Sequence, residues 1–245
     1  MRLTYMQLDL RVARYQRTCS LDPSTFVNFQ ERVALSWLFH DFAMDGVALL
    51  PEDVERALSF AEPRHHCDGE RLSTIRRKLD AIRWVQGFAE EHEGPLDLED
   101  LKRFHAAVCR PDDPAAGRYR KNEGPMLPYV HSTSKQASIS YRLRRLVESM
   151  ETEFEPMHPV RAASLIHHEF MATWPFDMRT GTAGRLLLNF ILLRGGLPPA
   201  VIHARNRHAY FSALGGHPEG MVSVVREAID MTLDCAESLL QVRVA

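Results

Sequence analysis

Apolar residues recur along most of this chain at spacings of three and four, the period that places them on one face of a helix. Phe26, Phe29, Val33, Trp37 and Leu38 form one such stripe, behind a Ser24-Thr25 start signal. Leu72, Ile75, Leu79, Ile82, Val85 and Phe88 form a second, on a helix that Gly94-Pro95 closes. Asp97 has the short acceptor side chain of an N-cap and opens a third helix carrying Leu101, Phe104 and Val108. Leu143, Leu146, Val147, Met150 and Phe154 mark a fourth. The chain re-enters a helix after His158-Pro159, where proline suits the first turn, and that helix runs to about Met171. Another is expected over about 182–194, stopped by Gly195-Gly196-Leu197-Pro198-Pro199. A last one covers about 219–242.

Residues 117–133 break this rhythm. Gly124, Pro125 and Pro128 disfavour helix, and Met126, Leu127, Tyr129 and Val130 suit a short hairpin. No internal repeat, low-complexity tract or linker divides the chain. The pattern predicts an all-α fold, one helical domain over 1–245 with a small β-hairpin flap.

Composition narrows the function classes. The 245 residues can bury a sizeable core, and 45% hydrophobic with 25% charged residues is an ordinary globular balance. A formal net charge of −2 provides no general field for nucleic acid or an anionic membrane, so neither is expected as a partner. Cys19, Cys67, Cys109 and Cys235 are widely spread and form no CxxC, as in the reduced thiols of a cytoplasmic protein. The N-terminus has no apolar core of a secretory signal, and no apolar run approaches a bilayer span. His65-His66-Cys67-Asp68 holds metal-ligand types side by side, without the spacing of a structural zinc site. His167 and His168 have apolar neighbours and read as structural, and His131 has no visible partner. Arg142, Arg144 and Arg145, followed by Glu148, Glu151 and Glu153, read as a solvated helix face. No metal site is expected.

The most informative stretch is Trp174-Pro175-Phe176-Asp177-Met178-Arg179-Thr180-Gly181-Thr182-Ala183-Gly184-Arg185. It resembles the signature of the Fic (Fido) family, His-Pro-Phe-x-Asp/Glu-Gly-Asn-Gly-Arg-x-x-Arg. Pro175, Phe176, Gly181 and Arg185 match. Trp174 stands at the family's catalytic histidine and Met178 at its metal-binding carboxylate. Arg179 stands at the first glycine, Thr180 at the asparagine and Thr182 at the first arginine. The flanks His168-Glu169-Phe170 and Arg185-Leu186-Leu187-Leu188-Asn189 are similar too, as is Ala209-Tyr210-Phe211-Ser212-Ala213-Leu214. Gly117-Arg118-Tyr119-Arg120 resembles the start of the family's flap, which aligns a target peptide. Asp41-Phe42-Ala43-Met44-Asp45-Gly46 resembles its inhibitory helix, with aspartates for the hydroxyl and the glutamate. The resemblance covers about 36–214. It implies a Fic-like helical core in which one helix ends in the motif loop and the next begins beneath a phosphate site. Thr180-Gly181-Thr182 leading into a helix agrees with that, since free N–H groups at a helix start favour an anion.

The family moves AMP from ATP, with Mg²⁺, onto a protein hydroxyl, and its histidine removes the hydroxyl proton. A tryptophan indole only donates, and a thioether is a poor ligand for hard Mg²⁺. Thr182 lacks the charge of the missing arginine. The resemblance therefore implies ATP and Mg²⁺, while the residues present predict no cofactor. Asp177, Asp41 and Asp45 are the remaining candidates for catalysis. Trp174, Arg179, Thr180, Gly181, Thr182 and Arg185 are the candidate ligand-binding set, with Asp45 and Arg185 as an inhibitory-like pair. The favoured expectation is a protein that has lost AMP transfer and binds a small anionic ligand or a protein partner. An enzyme with different chemistry in the remodelled pocket, or a surviving AMP transferase, is the alternative.

Overall fold

A computed structural model describes residues 5–21, 23–59, 66–125 and 133–244. These contain α1 (Tyr5–Leu21), α2 (Pro23–Met44), α3 (Pro51–Leu58), α4 (His66–Glu91), α5 (Leu98–Ala106), α6 (Ile139–Glu151), α7 (Pro159–Thr173), α8 (Thr180–Arg194), α9 (Arg207–Gly215) and α10 (Glu219–Val244). Single 3₁₀ turns precede α6 and α9. No strand occurs among the described residues. The expected hairpin at Met126 to Val130, with His65 and His131, lies outside them.

Local chemistry accounts for the elements that position the site. The Asp97 side chain accepts from the Asp100 N–H while the Asp100 carboxylate accepts from the Asp97 N–H, a reciprocal cap that starts α5. α2 stops at Met44 because Gly46 adopts φ +80°, and the Val47 N–H then returns to the Phe42 carbonyl at 2.9 Å. That stop leaves Asp41 and Asp45 one turn apart on the same face. α8 begins at Thr180, two residues before its expected start, because Arg179 breaks the chain in the left-handed region. Phe154 belongs to the turn after α6 rather than to the helix.

Three helices, α1, α3 and α9, are not among those expected from the sequence pattern. α1 buries Leu8 and Val12 behind a largely polar surface, and α3 buries only Val54 and Ala57. α9 buries Tyr210, Ala213 and Leu214. The buried apolar side chains form one cluster, running from Leu8 to Ala236. α8 is its centre: it packs on α7, α4 and α5, and it is buried almost all round from Thr180 to Leu192. The loop 174–179 between α7 and α8 is thus fixed at both ends by core helices.

Candidate functional site

Trp174 ends α7 in the left-handed region, φ 47°, with its N–H on the Phe170 carbonyl. Arg120 clamps it from the other side. The Arg120 guanidinium is fully buried and donates to the carbonyls of Trp174 (2.7 Å), Asn122 (2.6 Å) and Ser134, while its backbone N–H meets the Pro175 carbonyl at 2.9 Å. The start of the flap segment is therefore tied to the motif loop by main-chain contacts. The Trp174 indole is half-buried, and its N–H is shielded from solvent with no acceptor among the described residues.

Phe176 is fully buried and stacks on His105 of α5, ring centres 3.9 Å apart and nearly parallel. The His105 Nδ1 accepts from the Gly117 N–H at 3.0 Å, which leaves the proton on Nε2 to donate to the Met178 carbonyl at 3.1 Å. Burial pushes His105 down to about 4, outweighing that carbonyl, so the ring is neutral. The Thr180 hydroxyl accepts from the Phe176 N–H and donates to the Phe176 carbonyl. It staples the loop shut and faces no ligand. Met178 is 66% exposed, and Asp177 is exposed without a hydrogen bond among the described residues.

Arg179 stands in the left-handed region as well, φ 58°, and its side chain reaches toward the loop after α5. Its Nη1 lies 3.4 Å from Asp113 in the loop after α5. Burial and then the charge of Arg179 lower the basicity of Arg77 on α4, whose guanidinium is held, among the described residues, by the hydroxyls of Ser73 and Thr74.

Arg185 lies one turn into α8. A Cβ added at Gly181 would meet its Nη1 at 3.1 Å, so the glycine lets the guanidinium lie against the start of its own helix. There it is bound by carboxylates of α2. Its Nε donates to Asp41 at 2.5 Å and its Nη2 to Asp45 at 3.0 Å. Lys78 of α4 donates to both, at 2.7 and 2.6 Å, and the Thr182 hydroxyl donates to Asp41 at 3.1 Å. The two carboxylates are thus anions supplied by the chain itself, held by side chains at the start of α8. Burial alone would raise the Asp41 carboxyl, but the charges of Arg185 and Lys78 outweigh it and hold it well below its usual range. Arg185 is likewise raised by the two aspartates against the effect of burial. Beneath it, His167 is bound at Nδ1 to the Gly184 carbonyl and at Nε2 to the Tyr210 hydroxyl, both at 2.9 Å. Burial pushes His167 down to about 3 and keeps it neutral.

The sequence-derived candidates therefore separate. Asp41, Asp45, Thr182 and Arg185 converge, over Gly181. Trp174, Asp177, Arg179 and Thr180 point elsewhere. Sequence reasoning missed Lys78, His105 and Arg120. Lys78 was signalled by its place on an apolar face, three residues after Ile75 and four before Ile82.

The profile of the Fic/DOC family matches residues 95–192, from the cap of α5 to the end of α8. That segment is a Fic domain. This Fic domain resembles the protein adenylyltransferase Fic of Culex quinquefasciatus, with 25% identity over 218 residues, covering 86% of this chain and 42% of that protein. The Drosophila willistoni protein of the same name is 28% identical over 210 residues, covering 83% and 40%. The chain thus spans about two fifths of these relatives' length. Among solved structures, a Fic-domain signaling protein from Bacteroides thetaiotaomicron superposes with a TM-score of 0.75 at 17% identity, covering 93% of this chain and 98% of that one. Fic-1 of C. elegans gives 0.72 at 19%, covering 84% and 63%. These agree with the all-helical Fic fold. The family's metal does not fit the residues present. The thioether of Met178 replaces the carboxylate and points to solvent, while its carbonyl is held by His105.

Proposed function

We propose that this Fic-domain protein does not transfer AMP and acts by binding, with its anion site at the α8 start held closed by α2. The observation that carries this reading is the Arg185 guanidinium bound by both Asp41 and Asp45, with Lys78 closing the network. A phosphate would have to displace two carboxylates to reach that arginine. Trp174 adds to it, because no side chain at the base position can accept a proton. The network also leaves little scope for other chemistry: Asp41 and Asp45 are tied as counter-ions, and Asp177 stands apart from both.

Opening the site should expose it to small anions. With Asp45→Asn, inorganic phosphate or ATP should give a saturable thermal shift that EDTA does not change, because Met178 provides no Mg²⁺ ligand. The same titration on Arg185→Ala/Asp45→Asn should be flat. A flat response from Asp45→Asn itself would remove the anion reading.

A surviving AMP transferase is the second reading, supported by the names of the relatives and by the matched Gly181 and Arg185. ATP labelled at the α-phosphate decides between them. No covalent label on the protein or on added proteins is expected, and Trp174→His alone should not restore it. Label retained after denaturation and lost in Arg185→Ala would overturn the proposal.

A further inference from the structure

A cavity of about 460 Å³ opens between α2, α10 and residues 197–203, apart from the motif loop. That volume is in the range of sites that enclose small organic ligands. Its floor is apolar, formed by Phe29, Val33, Val201 and Met231. Its rim is cationic. Arg32 lines it, is exposed, and makes no hydrogen bond or ion pair among the described residues. Arg205 stands just outside the lining, resting its Nη2 at 2.8 Å on the sulfur of Met231, which does line it, and meets no carboxylate among the described residues. A thioether is a weak acceptor, so that exposed guanidinium is held mainly by solvent and is available to a carboxylate.

His203 completes the polar end. Its ring stacks on His40, centres 4.1 Å apart, and its nitrogens have no partner among the described residues. Burial and the charge of Arg205 lower its basicity, so at neutral pH it is a neutral ring that can donate one N–H. The acid on the wall, Asp234, is bound by Arg11 of α1 at 2.6 Å, and Arg11 also holds Asp230 and Glu237. The acidic side of α10 is therefore turned to α1, and two arginines without carboxylates remain beside an apolar pocket.

The geometry points to this cavity as a binding site for a small amphipathic carboxylate, with its apolar body on the floor and its carboxylate against Arg32, Arg205 and His203. Charged hydrogen bonds fix the head, and burial of the apolar tail gives the remaining affinity. The site owes nothing to the motif loop, so it holds whether or not AMP transfer survives.

Octanoate is a suitable probe, with neutral octanamide as the comparison. Calorimetry on the full chain should show saturable octanoate binding, and weaker binding of octanamide. Arg32→Ala/Arg205→Ala should weaken octanoate about tenfold or more and leave octanamide unchanged. Both arginines are on the surface, so this variant should keep the wild-type melting temperature. Cys235 lines the same cavity and is exposed, which gives an independent readout. Its alkylation by iodoacetamide, followed by peptide mass, should slow when octanoate is bound, while Cys19 alkylates as before. Absence of saturable octanoate binding would overturn the proposal. So would equal affinity in the double variant, or unprotected Cys235 at saturation.

Discussion

Trp174 and Arg179 are the two non-glycine residues with positive φ among those described, and they flank the same loop. Such a conformation costs an ordinary side chain about 1 to 2 kcal/mol. At Arg179 the compensation is small, since its one carboxylate contact among the described residues is 3.4 Å long. Arg179→Gly should therefore stabilise the protein by up to about 1 kcal/mol, and Arg179→Ala should destabilise it slightly. Urea unfolding of the two variants would show the opposite signs, and equal signs would mean that the contact to Asp113 outweighs the backbone strain. Arg185 is the contrary case. Removing it leaves buried Asp41 with Lys78 as its remaining cation and the Thr182 hydroxyl as its other donor, so Arg185→Ala should cost about 3 to 5 kcal/mol. A double-mutant cycle between Asp45 and Arg185 should give a coupling of about 0.5 to 3 kcal/mol, and additivity would deny the contact an energetic role.

At the level of elements, α5 offers the cleanest test of local control. Asp97→Ala removes one half of its reciprocal cap and should lower stability by about 1 kcal/mol, measurable as a reduced urea midpoint with an unchanged slope. Asp97 was legible because a cap is a local device, set by residues three apart. So were α2, α4, α7 and α8, whose apolar stripes or proline and glycine punctuation lie within each segment. α1 was not, because it buries only Leu8 and Val12 and owes its helix to what it packs against; α3 went unread although Pro51 at its start and the Val54/Ala57 pair were local signals, because it is only eight residues long. The site divides the same way. Asp45 and Arg185 could be paired on the motif resemblance, and Lys78 could have been flagged as a charge on an apolar face. The reach of Arg179 could not be read, because it depends on Asp113 in a loop 66 residues earlier. Nor could the Arg120 clamp, whose acceptors are all main-chain carbonyls and leave no mark on side-chain identity.

For the whole molecule, the buried histidines set the response to acid. In the fold, His167 is held at about 3, and His105 and His40 at about 4, each chiefly by burial. Unfolded, each takes up a proton near 6.5, so below that pH the unfolded chain binds protons that the fold refuses. Stability should fall as pH drops from about 6.5 to 4, by about 2 kcal/mol at pH 5 from fully buried His167 alone, with His105 adding less and half-exposed His40 least. Asp41 acts later. Its lowered carboxyl stabilises the fold fully above the usual carboxylate range, and that contribution fades only as pH falls below it. Urea midpoints collected from pH 7 to 4.5 should decline throughout, and a level series would contradict the buried neutral rings.

Asp41 and Asp45 reach Arg185 from the opposite end of the chain's core, 144 and 140 residues away in sequence, yet they belong to the same covalent molecule. A tethered group acts like a solute at an effective concentration set by the tether, about millimolar even for a loose flexible link and higher when a rigid helix holds it in place. Free phosphate in solution meets that competitor at every encounter, and diluting the protein does not weaken it. Raising the concentration of a weak anion is therefore a poor way to occupy the α8 start. Loosening the hold of α2 on the core, by a change at the Gly46 stop or along the helix itself, would lower the competitor's effective concentration and open the same site to a ligand of unchanged intrinsic affinity.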